Sequence, residues 1–152
     1  MGTEIAPGGW LSTALVRALV ANSLHEEALK EIDGWIESDI IALLFKALVM
    51  AHKGDQSRFD QLFEAFKVEN TDDHYWTTIV AAWGGHRDEA NRLVAQIDQH
   101  HFGAVTLTQI TQWCGCGAPF DLDATPNFAA KLKEGNLTWP PQATMDFPLK
   151  DW

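Results

Sequence analysis

The sequence predicts an all-α fold of three stacked antiparallel helix hairpins, followed by capping helices and an extended tail. Three turn positions 31 residues apart, Ser23, Gly54 and Gly85, separate segments with helical apolar periodicity. A residue that must approach the first helix of its hairpin follows each turn by five positions. These residues are Ala28, Phe59 and Ala90. Self-similarity at a fixed interval is typical of helical repeats, so we expect neighbouring hairpins to bury a shared core and leave one face open.

Length and composition favour one ordered domain over residues 1–152. A chain of 152 residues can bury a sizeable core but is short for two domains of ordinary size. The hydrophobic fraction of 46% and the charged fraction of 21% are ordinary for a soluble globular protein and exclude wholesale disorder.

Charge and hydropathy exclude several classes of partner. The formal net charge of −10 repels phosphate backbones, and no Lys/Arg cluster is present, so we expect no nucleic-acid partner. No apolar run reaches the roughly 18 residues that span a bilayer, so we expect no membrane insertion. The first nine residues lack the basic start of a secretory signal, and two cysteines do not form a disulfide framework. A cytoplasmic location is the resulting expectation.

The first hairpin is predicted from apolar residues at three- and four-residue steps on both sides of Ser23. They are Ala14, Leu15, Ala18 and Leu19, then Leu29, Ile32, Trp35 and Ile36. The Ser23 hydroxyl is expected to cap the second helix, with Glu26 closing a capping box.

The second and third hairpins repeat this pattern with different cap residues. A Ser38-Asp39 cap is expected to start the second hairpin, and Asp55 to cap its return helix. The third hairpin is expected to begin at the polar stretch 71–73, where Asp72 and Asp73 read as capping carboxylates, and to turn at Gly84-Gly85.

Residues 104–135 are predicted to form capping helices. Thr106 and Gln109 have capping-box spacing and would open a helix through Trp113. After a glycine-rich turn, Thr125-Pro126 would start a short helix that ends at Gly135. Prolines then exclude a helix over residues 136–152, so this tail should be extended and packed on the helices. Its aromatic residues are too costly to leave in water. They are Trp139, Phe147 and Trp152.

The hairpins resemble the tetratricopeptide repeat family. The resemblance rests on the stretch Trp83-Gly84-Gly85-His86-Arg87-Asp88-Glu89-Ala90 and, next, on Leu24-His25-Glu26-Glu27-Ala28-Leu29, and it covers about residues 10–100. The chain departs from the family in its 31-residue interval, where about 34 is usual, and in having Phe59 where a small residue is expected. The resemblance implies a right-handed superhelix in which the first helix of each pair lines a concave face.

The implied function is binding of a protein or peptide segment, as a scaffold or accessory module. The positions expected to face inward are Thr13 and Ala21 together with the partner-binding residues proper. Those are Arg17, Leu44, Leu48, His52, Tyr75, Ile79 and Trp83. Aromatic and Arg side chains are typical of binding hot spots. For Leu44, Leu48 and Ile79 the alternative is a place in the core, as for most apolar residues at helical spacing.

The strongest chemical alternative is the pair Cys114 and Cys116. With His100 and His101 these thiols could hold a metal, or they could cycle between dithiol and disulfide. A one-residue gap is a weak match to a zinc motif, and inert burial in a turn is the plainer reading. The pair Asp121 and Asp123 could suggest acid–base chemistry, but it precedes a predicted helix, so we expect these carboxylates to cap that helix.

No nucleophile elbow, phosphate-binding loop, dinucleotide fingerprint or His-Glu-x-x-His run is present. The sequence therefore predicts a non-catalytic protein with no cofactor and no metal. Two further readings stay open. The chain could be a structural or regulatory domain of a larger protein whose tail fills its own groove, and exposed end surfaces could pair in a homodimer.

Overall fold

The computed structural model describes residues 9–35 and 40–140, and within these ranges every regular element is helical, with no strand. This confirms the all-α prediction. The α-helices are α1 Trp10–Ala21, α2 His25–Asp33, α3 Ile40–Lys53, α4 Gln56–Glu69, α5 His74–Trp83, α6 Arg87–Ile97, α7 Gly103–Cys114 and α8 Pro126–Glu134, with a 3₁₀ turn at Leu122–Ala124. The Ser38-Asp39 cap, Phe147 and Trp152 lie outside the described residues.

The helices pair in sequence order: α1 with α2, α3 with α4, and α5 with α6. The first helices of successive pairs also contact one another, and α7 extends this row by packing on α5. Helices α1, α3, α5 and α7 therefore form an inner layer, which we call the inner row.

The three turns have the same backbone conformation. Ser23, Gly54 and Gly85 have φ of 60°, 76° and 74°, the left-handed region. In each turn the next N–H donates to the carbonyl five residues earlier, at 2.9 to 3.1 Å, and the turn residue donates to the carbonyl three residues earlier. This is the Schellman ending of a helix. The structure confirms the turn positions predicted from the 31-residue interval.

Two predicted caps are confirmed. Asp55 accepts a hydrogen bond from the N–H of Arg58 at 3.2 Å. Asp73 accepts from the N–H groups of Tyr75 and Trp76 at 2.9 and 3.2 Å. Each carboxylate thus satisfies free N–H groups in the first turn of its helix.

Other cap predictions are wrong. Ser23 is the left-handed residue that ends α1, so Leu24 takes the cap position of α2 without a side-chain hydrogen bond. The Thr106 capping box also fails, because α7 already begins at Gly103 and the Thr106 hydroxyl donates to the carbonyl of Phe102 inside the helix.

The buried carboxylate of Asp98 caps α8 in place of the local Thr125. Pro126 occupies the first turn of α8 as predicted, but the Thr125 hydroxyl donates to the carbonyl of Leu122. The N–H groups of Asn127 and Phe128 donate to Asp98 at 2.9 and 2.8 Å. Asp98 directly follows α6, so this cap fastens the C-terminal helix to the third hairpin.

Trp139, the one tail aromatic among the described residues, packs against the helical core. The Trp139 ring lies 4.9 Å from the ring of Phe120 and 5.4 Å from that of Phe128, measured between centroids. Phe120 and Phe128 are buried in the core formed with α5, α6 and α7.

The prediction that Asp121 and Asp123 cap a helix is also wrong. The Asp121 side chain forms no helix cap but accepts a hydrogen bond from the Asn91 side chain at 2.7 Å, while its N–H donates to the Asn91 side chain at 2.8 Å. Asp123 lies within the 3₁₀ turn. Asp121 therefore ties the loop to α6.

The second and third hairpins meet at a close approach between Phe59 and Gly84. Phe59 is fully buried, and a Cβ atom on Gly84 would overlap its ring. Glycine at position 84 therefore leaves the space that the large Phe59 side chain fills. The departure from the tetratricopeptide pattern at Phe59 is matched by a missing side chain on the neighbouring hairpin.

A polar cluster covers the exposed side of this approach. The His86 ring stacks on Phe59 at 5.6 Å and contacts Asp60 at 2.8 Å, measured from Nε2 to Oδ1. Gln56 donates to Asp60 at 2.9 Å and to the carbonyl of Gly84 at 3.2 Å. The hydrogen bond from Gln56, and then that of His86, hold the pKa of Asp60 below its ordinary value.

We predict that Gly84→Ala destabilises the fold by about 1–3 kcal/mol, because the new methyl group must displace a fully buried ring. Gly135→Ala is the matched control: both glycines have φ near −83° and ψ near 0°, but a Cβ at Gly135 meets its neighbours at 3.3 Å or more. Its expected change is within about 1 kcal/mol. Urea unfolding of both variants measures the difference, and equal losses would contradict the proposed overlap.

We also predict a pH-dependent contribution from Asp60. Because its pKa is lower in the folded than in the unfolded chain, folding favours the charged carboxylate. The contribution is complete above the unfolded pKa of about 4 and is lost as pH falls through the lower folded pKa. The difference in unfolding free energy between the wild type and Asp60→Asn should therefore shrink as pH falls below about 4. Parallel stability curves for the two proteins would exclude this role.

Candidate functional site

A largely apolar cavity of about 460 Å³ opens on the inner row. Side chains from α1, α3, α5 and α7 form its walls, and Phe66 of α4 contributes to its floor. The apolar lining residues are Trp10, Ile40, Ile41, Leu44, Phe45, Phe66, Trp76 and Trp113. Thr13, Asn70 and Asp73 supply polar groups. The volume lies within the range of small-ligand and side-chain pockets.

Three tryptophans surround the opening with different exposure. Trp10 is 74% exposed at the start of α1, whereas Trp76 and Trp113 are half-buried. Trp76 and Trp113 meet edge to face with centroids 5.5 Å apart. Such a pair is held in its relative orientation by the quadrupoles of the rings, whereas the Trp10 ring is mostly exposed to solvent.

Arg17 lies in an adjoining cavity of about 330 Å³ that shares Trp10, Thr13 and Trp113 with the first. Its guanidinium carbon is 5.0 Å from the centre of the Trp113 ring, and one of its nitrogens donates to the Trp113 carbonyl at 3.2 Å. No ion pair joins Arg17 to a carboxylate within residues 9–35 and 40–140. A cation–π contact thus holds a positive charge beside the apolar wall.

The structure places two of the seven predicted partner-binding residues at these cavities. Leu44 lines the larger cavity and Arg17 the smaller one. Leu48 and Ile79 are buried in the core, 4% and 0% exposed, which agrees with the alternative stated for them. Leu44, at 4% exposed, is both a core residue and a wall of the cavity.

The other three predicted residues lie apart from the opening. His52 lies near the end of α3 with much of its side chain exposed; partial burial of its ring, and then the charge of His25, lower its pKa. Tyr75 is half-buried against Trp76, and burial raises its pKa. Trp83 is half-buried and donates its indole N–H to the carbonyl of Cys114 at 2.9 Å.

The sequence reasoning missed most of the aromatic wall. The 31-residue interval does relate Trp10 to Ile41, and Ala14 to Phe45 and Trp76. An alignment of the three hairpins that includes the first turn of each first helix could therefore have identified these wall positions. Trp113 lies beyond the third hairpin and had no repeat partner that could identify it. The cavity lies at the starting half of the first helices, whereas the predicted set extended along their whole length.

The glycine-rich turn after α7 contains a disulfide bond between Cys114 and Cys116. Cys114 is 7% exposed and Cys116 is exposed. Gly115 lies between the two cysteines and Gly117 follows them. Their φ angles are 63° and 76°, in the left-handed region that residues with a side chain rarely adopt. The bond joins positions two residues apart, so loop-closure entropy gives it about 1.6 kcal/mol, against about 4.7 kcal/mol for a 100-residue loop.

Three side chains from other helices hold the backbone of this turn. Arg17 of α1 and Trp83 of α5 donate to the carbonyls of Trp113 and Cys114, as described above. Arg87 of α6 donates to the carbonyl of Ala118 at 2.7 Å. The turn is therefore fixed to three helices by hydrogen bonds that do not involve its sulfur atoms.

Metal ligation finds no support in the described part of the chain. No group of three or more His, Cys, Asp or Glu side chains there could hold an ion. His100 and His101 follow α6 and are exposed, and the His101 ring packs against Phe102 at 4.8 Å.

Comparison of the chain with known protein families, with curated proteins and with solved structures finds no match. Among the described helices, none is long and apolar enough to cross a membrane.

Proposed function

We propose that the chain is a non-catalytic interaction module that binds an apolar segment of another protein in the cavity of the inner row. In this proposal the hairpins stack as a tetratricopeptide-like right-handed superhelix, and the inner row is its concave face. The observation that carries the proposal is the cavity itself: aromatic and aliphatic walls with a cationic Arg17 at one side.

The size and lining of the cavity favour one or two apolar anchor side chains. Aromatic and aliphatic walls gain free energy when they are covered by apolar groups, at roughly 25 cal/mol per Å². Trp10, 74% exposed, and Ile41, 38% exposed, have the most surface to lose to a partner. Binding hot spots are typically such aromatic residues at the centre of a contact.

Charge narrows the expected partner segment further. Among the described residues that line the two cavities Arg17 is the single basic one, and no described carboxylate forms an ion pair with it. A carboxylate next to the anchor could reach its guanidinium, and complementary charge of this kind fixes register more than it adds affinity. We therefore propose a segment with an aromatic or aliphatic anchor followed or preceded by an acidic residue.

The test begins with peptides selected from a random displayed library on the full chain, synthesised and measured by calorimetry. Ile41→Glu should weaken binding of such a peptide by about tenfold or more, because it places a charge against the anchor. Val68→Glu is the matched control: Val68 is an exposed aliphatic residue, 72% exposed, on α4 and outside the cavity lining. It should leave the Kd unchanged within about twofold.

Arg17→Gln tests the acidic part of the preference. It should weaken peptides that carry the carboxylate and leave those with an amide in its place unchanged. If library selection yields no binder, if small apolar molecules alone are bound, or if Ile41→Glu and Val68→Glu have equal effects, the proposal is wrong.

A further inference from the structure

The Cys114–Cys116 bond lies where it can open without loss of the fold. It closes a very short loop, with only Gly115 between the two cysteines, and therefore restricts the unfolded chain very little. The backbone of the turn is held independently by Arg17, Trp83 and Arg87. Removal of the sulfur–sulfur bond leaves these three anchors available.

The two sulfur atoms differ in accessibility. Cys114 ends α7 and is buried, whereas Cys116 lies in the exposed part of the turn between two glycines. An external thiol can therefore approach Cys116 and not Cys114. Thiol exchange requires access to one sulfur and a leaving group at the other, and the pair provides both.

A positive charge lies beside the turn. The nearest atom to a Cβ position on Gly115 is a guanidinium nitrogen of Arg17, at 3.9 Å. Arg87, which donates to the carbonyl of Ala118 and lies 3.8 Å from the Asp121 carboxylate, brings a second guanidinium to the turn. Nearby cations stabilise a thiolate, which is both the nucleophile and the leaving group of disulfide exchange.

We propose that Cys114–Cys116 is a redox-active disulfide that exchanges with a dithiol partner, either a small dithiol or a dithiol protein, and that its state changes the chemical environment of the Trp83–Cys114 hydrogen bond without breaking that bond. The pairing of the sulfurs does not depend on the proposed peptide binding. Trp113, which adjoins Cys114, lines the cavity, so the two sites share a segment of backbone.

The exchange balances in two steps. A thiolate of the partner attacks Sγ of Cys116, the disulfide bond breaks, and Cys114 leaves as a thiolate that takes up a proton. The second thiol of the partner, as thiolate, then attacks the partner's own sulfur in the mixed disulfide and releases Cys116, which also takes up a proton. The partner's two thiols supply both protons and both electrons. The protein becomes a dithiol and the partner a disulfide.

The experiment equilibrates the full chain in mixtures of reduced and oxidised dithiothreitol, blocks free thiols with a maleimide and counts them by mass. Circular dichroism follows helicity, and the indole N–H signals are followed by NMR. The expected result is reversible gain and loss of two thiols at unchanged helicity. The signal of Trp83, which donates to Cys114, should shift, while that of Trp35 in the first hairpin should not. Single Trp→Phe variants assign the signals.

Cys116→Ser is the control chain, in which no second thiol can appear and the Trp83 signal should not respond to dithiothreitol. A disulfide that opens only when the helices unfold, or that does not re-form on oxidation, overturns the proposal. Reversible exchange without a shift of the Trp83 indole N–H signal overturns the proposed effect of the redox state on the surroundings of Trp83. Peptide binding is measured separately, by the Ile41→Glu and Val68→Glu comparison, so failure here is distinguishable from failure of the proposed function.

Discussion

The close approach of Phe59 and Gly84 is the contact on which the relation between hairpins depends. Gly84 ends α5, and its missing side chain admits the fully buried ring that α4 presents. Because interiors are close-packed, a change in the size of either residue leaves a cavity or forces the ring or a helix to shift. The polar cluster of Gln56, Asp60 and His86 then covers the exposed edge of this contact.

This contact leads to the cavity through the inner row. It fixes α4 against the end of α5, α3 packs on α5, and α1 and α7 extend the row on both sides. Arg17 joins the outer members α1 and α7 by its contacts with Trp113. The cavity is therefore the space left between helices whose separations are set elsewhere, by turns with a fixed conformation and by one crossing packed around a ring.

Much of the fold could be predicted from the sequence because it depends on local rules. A left-handed residue ends each first helix, and glycine marks two of these positions; Asp55 and Asp73 cap helices as their chemistry suggests. The Ser23 cap failed because the same residue is required in the left-handed conformation, which takes its hydroxyl away from the helix start. Thr106 failed because capping-box spacing also occurs inside helices, where a hydroxyl can bond a carbonyl four residues back.

The site was less predictable because its residues come together only in three dimensions. Periodicity separates core from surface, and the tetratricopeptide resemblance implied inward positions for Arg17 and Leu44, each of which lines one of the two cavities. It could not show that the opening lies at the starting half of the first helices of the hairpins, or that Trp113 from the end of α7 completes the wall. The bond between Cys114 and Cys116 required the backbone of the glycine turn, and the partner of Asp98 required the position of α8.

The most direct test of this account is an NMR measurement on the Gly84 Hα protons. With the Phe59 ring packed against them, nuclear Overhauser effects should connect these protons to the ring, and ring currents should displace their chemical shifts from ordinary glycine values. In Phe59→Leu the Overhauser effects to the ring should be absent, and the Gly84 Hα chemical shifts should return to ordinary glycine values. Gly84 Hα protons at ordinary shifts, with no Overhauser effect to Phe59 in the folded wild-type chain, would contradict the account.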